Sequence, residues 1–190
     1  MRLILASASP RRLDLLERIG VTPDAVVPAD IDESVPQGEL PRQHASRLAH
    51  EKAAAVAALE PEALVLAADT VVAVGRRILP KVDDEATLRA CMKLLSGRRH
   101  RVLTGVALAV PGKGIRERLV ETMIAMKRLS NEEIDYYSGH GEWRGKAGGY
   151  ALQGYGEVYV RHIAGSYSNV VGLPLAETRM LLMSAGYGIA

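Results

Sequence analysis

Cysteine is nearly absent from this chain of 190 residues, where Cys91 stands alone. An intramolecular disulfide is therefore excluded, which favours a reducing compartment. Cys91 falls in DDEATLRACMKLLSG, where Leu88, Cys91, Met92 and Leu95 recur at helical spacing, so the thiol reads as core packing rather than as a nucleophile. Long hydrophobic runs are missing too. The longest apolar stretch, ALVLAADTVVAVG, is interrupted by Asp69 and is too short to span a bilayer. The opening MRLILASASPRR has an apolar run too short for a secretory leader. A cytoplasmic location without a membrane partner is the expectation. Strong charge of one sign is also lacking: a net +2 announces no nucleic-acid surface, yet it does not oppose an anionic small molecule.

Several signatures of nucleotide and hydrolase chemistry are absent as well. WRGKAGG falls short of a P-loop, because His140 stands where its first glycine is needed and Ala147 where a hydroxyl is needed. GYGEVY lacks the third glycine of a dinucleotide fingerprint, no serine sits in a GxSxG elbow, and the five histidines have no metal-ligand spacing.

What is present is ordinary globular composition, 48% hydrophobic, in a chain long enough for one packed unit over 1–190. RLILA reads as a buried strand. A helix follows from Pro10, capped by Ser9 and closed by Gly20. After the acid-rich loop PADIDESVPQGELP, a second helix runs from Pro41 to Leu59. ALVLAAD and VVAV read as two strands, Asp83 or Asp84 caps a helix that Gly97 ends, and HRVLTGVALAV and ERLVETMIAM flank PGKG as long antiparallel strands. SNEE fits a capping box. EVYVRHI reads as a strand, GSYSN as a turn, and a final helix opens at Pro174 and closes at Gly186. The expected fold is α/β, with a mixed, mostly antiparallel central sheet flanked by helices in two lobes around a cleft.

Four charged residues, at three places in the chain, are misplaced for such a fold. Arg11 and Arg12 occupy the first turn of the first helix, the positive end of its dipole, where each exposed cation costs about 0.3–1 kcal/mol. Beside Ser7 and Ser9 and the free N–H groups, they suit a phosphate; the alternative is that they turn to solvent or pair with Asp14 or Glu17. Lys52 shares the apolar stripe of Leu48 and Val56, so it either snorkels outward or meets an anion. Asp69 interrupts apolar strands, either as a turn residue or as a carboxylate at a strand end held by a metal, a lysine or water. Asp30, Asp32 and Glu33 add oxygen ligands that Mg2+ or Mn2+ accepts, and Lys81 follows in RRILPKVDD. Together these groups suit a metal-bound polyphosphate.

SASPRR, the acidic pair at 32 and 33, EKA around Lys52, ADTVV, LSGRRHRVLTG, KAGGYALQG and GSYSNVVGLPL, in that order, resemble the Maf family of nucleoside triphosphate pyrophosphatases over nearly the whole chain. The resemblance implies hydrolysis of a nucleoside triphosphate to monophosphate and pyrophosphate with a divalent metal, Mg2+ or Mn2+. It implies Asp69 as proton acceptor, Glu33 and Asp69 as metal-associated acids, and Lys52 and Lys81 as charge stabilisers. Ser7, Ser9, Arg11, Arg12, Thr70, Lys146 and Gln153 are its substrate-binding candidates. Arg11, Thr70 and Gln153 match the branch resembling dTTP/UTP pyrophosphatases rather than the branch acting on 7-methyl-GTP. Pro80 and Val82 depart from the glycine and proline that often flank the family's lysine, which puts the reach of Lys81 in question. The rival classes are 7-methyl-GTP hydrolysis and a septum-related factor that binds nucleotide or protein without catalysis. Oligomeric state, a homodimer included, is left open.

Overall fold

A computed structural model of the chain describes residues 1–189. The first strand, β1 (Leu3–Ala6), is wholly buried and runs parallel to both β2 (Ala25–Val26) and β3 (Leu64–Val74). β3 then pairs antiparallel with β6 (Arg99–Val110), β6 with β7 (Gly114–Met126), and β7 with β9 (Val160–Ala164). The sheet order is therefore β2-β1-β3-β6-β7-β9, with β4 (Arg77–Ile78) folded back on the end of β3. A small second sheet pairs β5 (Lys81–Val82) with β8 (Lys146–Ala147). The mixed, mostly antiparallel expectation holds.

Helices cover both faces. α2 (Pro41–Leu59) lays Ala45, Ala49 and Ala53 against small residues of β3 and β6, including Ala67 and Ala107. α1 (Pro10–Glu17), α5 (Tyr167–Val171) and α6 (Leu175–Ser184) pack on the opposite face, where Leu15, Leu16, Leu181 and Leu182 join Leu66, Val106 and Leu108. A separate cluster unites α3 (Glu85–Leu95) and α4 (Asn131–His140) with Val82, Val102 and Ile124. Cys91 is buried there, as its spacing predicts. So is Trp143, the one tryptophan, whose indole N–H donates to the Ser138 carbonyl at 2.9 Å while the Arg144 guanidinium lies 4.4 Å from the ring centroid. These clusters sit at the two ends of the long β3–β6 ladder, and the cleft opens between them.

Four local expectations are corrected. ALVLAAD and VVAV are one continuous strand, so Asp69 lies in mid-strand opposite Gly105 rather than at a strand end or in a turn. The backbone of Asp69 and Thr70 stays extended because β6 pairs with both of them in register. EVY belongs to a 3-10 turn, Tyr155–Tyr159, because the Glu142 carboxylate accepts the Tyr155 and Gly156 N–H groups; the strand begins at Val160. GSYSN is not a turn: the Ser166 hydroxyl accepts the Asn169 N–H and starts α5. Ser9 occupies the N-cap position of α1, but its side chain makes no capping bond; the Ser9 N–H donates to Ser7 Oγ and the Arg12 N–H to the Ser9 carbonyl, and Pro10 has no N–H, so the Arg11 N–H is left without a partner among the described residues.

Candidate functional site

β1 ends at Ala6, opposite Ala67, and β4 rejoins β3 only at Ala73. Residues 68–71 of β3 thus have no strand neighbour on that edge, and a cleft of about 340 Å³ opens against it, just beyond the carboxyl end of β1. Clefts beyond the carboxyl ends of parallel strands are where open α/β sheets hold ligands. Successive strand side chains alternate in direction, so Asp69 faces α2 while Thr70 faces α5. Both border the cleft.

On the Asp69 side, Lys52 reaches the carboxylate because α2 can lie unusually close to the sheet. A Cβ on Gly105 would stand 2.2 Å from the Ala45 carbonyl oxygen, so only glycine admits the helix there. Lys52 Nζ lies 2.7 Å from Asp69 Oδ1 and 2.6 Å from Glu33 Oε1, and Lys81 Nζ lies 2.5 Å from Glu33 Oε2. Lys52 is 7% exposed, so the snorkelling alternative is excluded. Although partial burial pushes the Glu33 carboxyl upward, its bonds to Lys52 and Lys81 hold it down at about 2. The reach of Lys81 is secured despite Pro80 and Val82, because β5 pairs Lys81 with Ala147. Of the acidic cluster only Glu33 lines the cleft. Asp32 accepts the N–H and hydroxyl of Ser34, a local turn, and both Asp30 and Asp32 are exposed. The Glu33 loop is tied to α2 by Arg47, which donates to the Ser34 carbonyl at 3.0 Å and to both oxygens of Glu39.

On the Thr70 side stand the paired arginines. Neither turns to solvent, and neither pairs with Asp14 or Glu17. Arg12 is buried: Nε donates to the Gly172 carbonyl at 2.8 Å, Nη1 to Ser7 Oγ at 2.9 Å and Nη2 to Thr70 Oγ1 at 3.3 Å. Arg11 donates to the Val171 carbonyl at 3.4 Å. Burial lowers the affinity of both guanidiniums for their proton, and for Arg12 the nearby charge of Asp69 opposes that loss. Lys146 donates to the Glu142 carbonyl oxygen; its ammonium is weakened first by burial and then by Arg11. Arg11, Arg12 and Lys146 have no acidic ion-pair partner among the described residues. Gln153 is exposed at the rim, held by the turn that Glu142 caps.

All eleven site residues expected from sequence, from Ser7 to Gln153, line this one cleft. Sequence reasoning missed Thr104, Asn169 and Gly172, which brace the arginine side, and Tyr150, whose hydroxyl meets His100 Nε2 at 2.7 Å beneath the cleft. A threonine before a glycine in an otherwise apolar strand was the available signal.

Five cations and two carboxylates around one hollow suit a polyanion. Among the described residues no group of three or more His, Cys, Asp or Glu could hold a metal. Glu33 and Asp69 nevertheless fit a hard cation that completes its shell with phosphate and water, the habit of Mg2+, and Asp69 Oδ2 has no protein partner among the described residues.

Fold and cleft together define a mixed α/β protein with a cation-rich cleft at a strand–helix junction, a charge pattern that suits phosphate groups. The chain belongs to the Maf family: the family described as Maf-like protein matches residues 2–185. It is 60% identical over 187 residues to a dTTP/UTP pyrophosphatase of Novosphingobium aromaticivorans, covering 98% of this chain and 93% of the relative. It is 61% identical over 185 residues to a dTTP/UTP pyrophosphatase of Caulobacter vibrioides, covering 97% and 96%. The fold also resembles a solved HAM1 protein from Coxiella burnetii, with TM-score 0.53, 13% identity and coverage of 97% and 99%.

Proposed function

We propose that the chain hydrolyses dTTP and UTP to the nucleoside monophosphate and pyrophosphate. The observation that carries this reading is the cleft in which Lys52 joins Asp69 to Glu33 while Arg11, Arg12 and Lys146 stand without acidic partners. A triphosphate answers that excess of positive charge. Asp69 takes a proton from the attacking water as the water oxygen bonds to the α phosphorus. The bond from that phosphorus to the α,β-bridging oxygen breaks, and its electron pair leaves on pyrophosphate, where Arg11, Arg12, Lys52 and Lys81 stabilise the charge. Glu33 and Asp69 would hold a divalent cation, Mg2+ or Mn2+, which when bound neutralises phosphate charge. Ser7, Ser9 and Lys146 bind phosphate oxygens beside the free Arg11 N–H in the first turn of α1. Gln153, whose amide makes no hydrogen bond among the described residues, reads the base.

Thr70 and Gln153 at the cleft and the activity for which the relatives are named both favour dTTP and UTP over 7-methyl-GTP. No described helix is long and apolar enough to cross a membrane, and we place the reaction in the cytoplasm, with residues 1–190 acting as one unit. The test is pyrophosphate release from dTTP, UTP, CTP and 7-methyl-GTP with Mg2+, Mn2+ or Co2+. Preference for dTTP and UTP is expected. Preference for 7-methyl-GTP overturns the base assignment, and no release from any triphosphate transfers the protein to the binding class. Asp69→Asn should abolish turnover while triphosphate binding persists; retained turnover removes Asp69 from the role of base.

A further inference from the structure

A buried guanidinium without a carboxylate must be held by neutral acceptors, and those holding Arg12 form a closed circuit. Arg12 Nη2 donates to Thr70 Oγ1, which lies 3.0 Å from Thr104 Oγ1; Thr104 Oγ1 lies 3.0 Å from the Asn169 carbonyl oxygen. The Asn169 carbonyl also accepts the Gly172 N–H at 3.1 Å, and the Gly172 carbonyl accepts Arg12 Nε. Thr104 and Asn169 are fully buried, so water cannot substitute in this ring.

The proton direction follows from elementary bonding. A carbonyl oxygen only accepts, so the single Thr104 proton must point at Asn169; otherwise two oxygens would face each other at 3.0 Å in a buried site with no proton between them. Between the two threonines, Thr70 is then the donor. Its proton is spent, and it offers Arg12 a lone pair only.

We propose that Thr104, which does not line the cleft, is a positioning residue for Arg12, acting through the Thr70 hydroxyl, and thereby sets the affinity of the cleft for polyphosphate. This rests on the reading that Arg12 binds the triphosphate. If Thr104 loses its acceptor oxygen, Thr70 is free to swing its own proton toward Arg12, and the guanidinium loses one of the three bonds that aim it.

Thr104→Val keeps the shape and deletes the hydroxyl. Binding of inorganic tripolyphosphate, measured by calorimetry, is expected to weaken about tenfold, with a matching fall in kcat/KM for dTTP, the loss appropriate to one bond to a charged group. Thr104→Ser is expected to restore both. In a Thr70→Val background the link is already cut, so adding Thr104→Val should change little further, whereas a merely structural effect would add. Unchanged tripolyphosphate affinity in Thr104→Val, failure of serine to restore it, or full additivity with Thr70→Val overturns the proposal. Should Thr104→Val not fold, Thr104→Ala makes the same deletion with a smaller side chain, and Thr70→Val alone must weaken binding as much. Wild-type protein that binds tripolyphosphate but hydrolyses no nucleotide defeats the hydrolase reading, while the calorimetric arms still decide the circuit.

Discussion

Lys52 takes the space between two carboxylates, one of them almost wholly buried. Its removal would leave Asp69 as an unpaired buried charge, the costly half of a broken pair. Lys52→Met is therefore expected to destabilise the fold by about 3 kcal/mol in urea denaturation, and to reduce turnover by about 100-fold or more through lost charge stabilisation. Acid acts on the neighbouring group: Glu33 titrates at about 2 in the folded chain against an ordinary 4.5, so its contribution is present above pH 4.5 and is lost as pH falls toward 2. His100 adds an earlier window. Burial lowers its proton affinity from 6.5 to about 4, so between those values the unfolded chain takes up a proton that the folded chain refuses, and stability declines as pH falls. His100→Gln, which keeps a partner for the Tyr150 hydroxyl but does not titrate, should flatten that decline in unfolding curves recorded at stepped pH.

Among the elements, the contact of α2 with β6 decides whether Lys52 can meet Asp69. Gly105→Ala is expected to push the helix outward at Ala45, costing about 1–3 kcal/mol as overpacking does. It should also depress activity beyond that stability loss, and a thermal melt beside a turnover assay checks both. The same region shows where sequence reading succeeds. α2 and the β6–β7 hairpin were legible because their periodicity extends over many residues, and Ser130 with Glu133 forms the reciprocal cap that SNEE announces. β3 was divided because an aspartate and a threonine look like a break until their register with Gly105 and Thr104 is known. α5 was missed because five residues hold too little periodicity and the glycine and serines before them signal a turn. The charged site residues were legible through their cost, since Lys52, Asp69 and the arginines are misplaced unless something pairs with them. Thr104 and Asn169 are neutral, and their role depends on partners such as each other, 65 residues apart in the chain.

Across the whole molecule, the cleft joins walls that belong to different packing clusters. α1 and the Gly172 turn stand with the core beneath β1, whereas Lys81, Lys146 and Ala147 stand with the core around α3. A ligand touching both walls should protect both. Hydrogen exchange with pyrophosphate and Mg2+ present is expected to slow amides near residues 9–12 and 145–147 together, and slowing at one wall alone would argue against a shared anion site. Trp143 lies just behind the second wall, fully buried, with its N–H engaged and the Arg144 guanidinium over its ring. As the sole indole, it supplies an unlabelled optical gauge: its emission stays at short wavelength while that half is shut and moves to the red when water enters, reporting from one side of the molecule only.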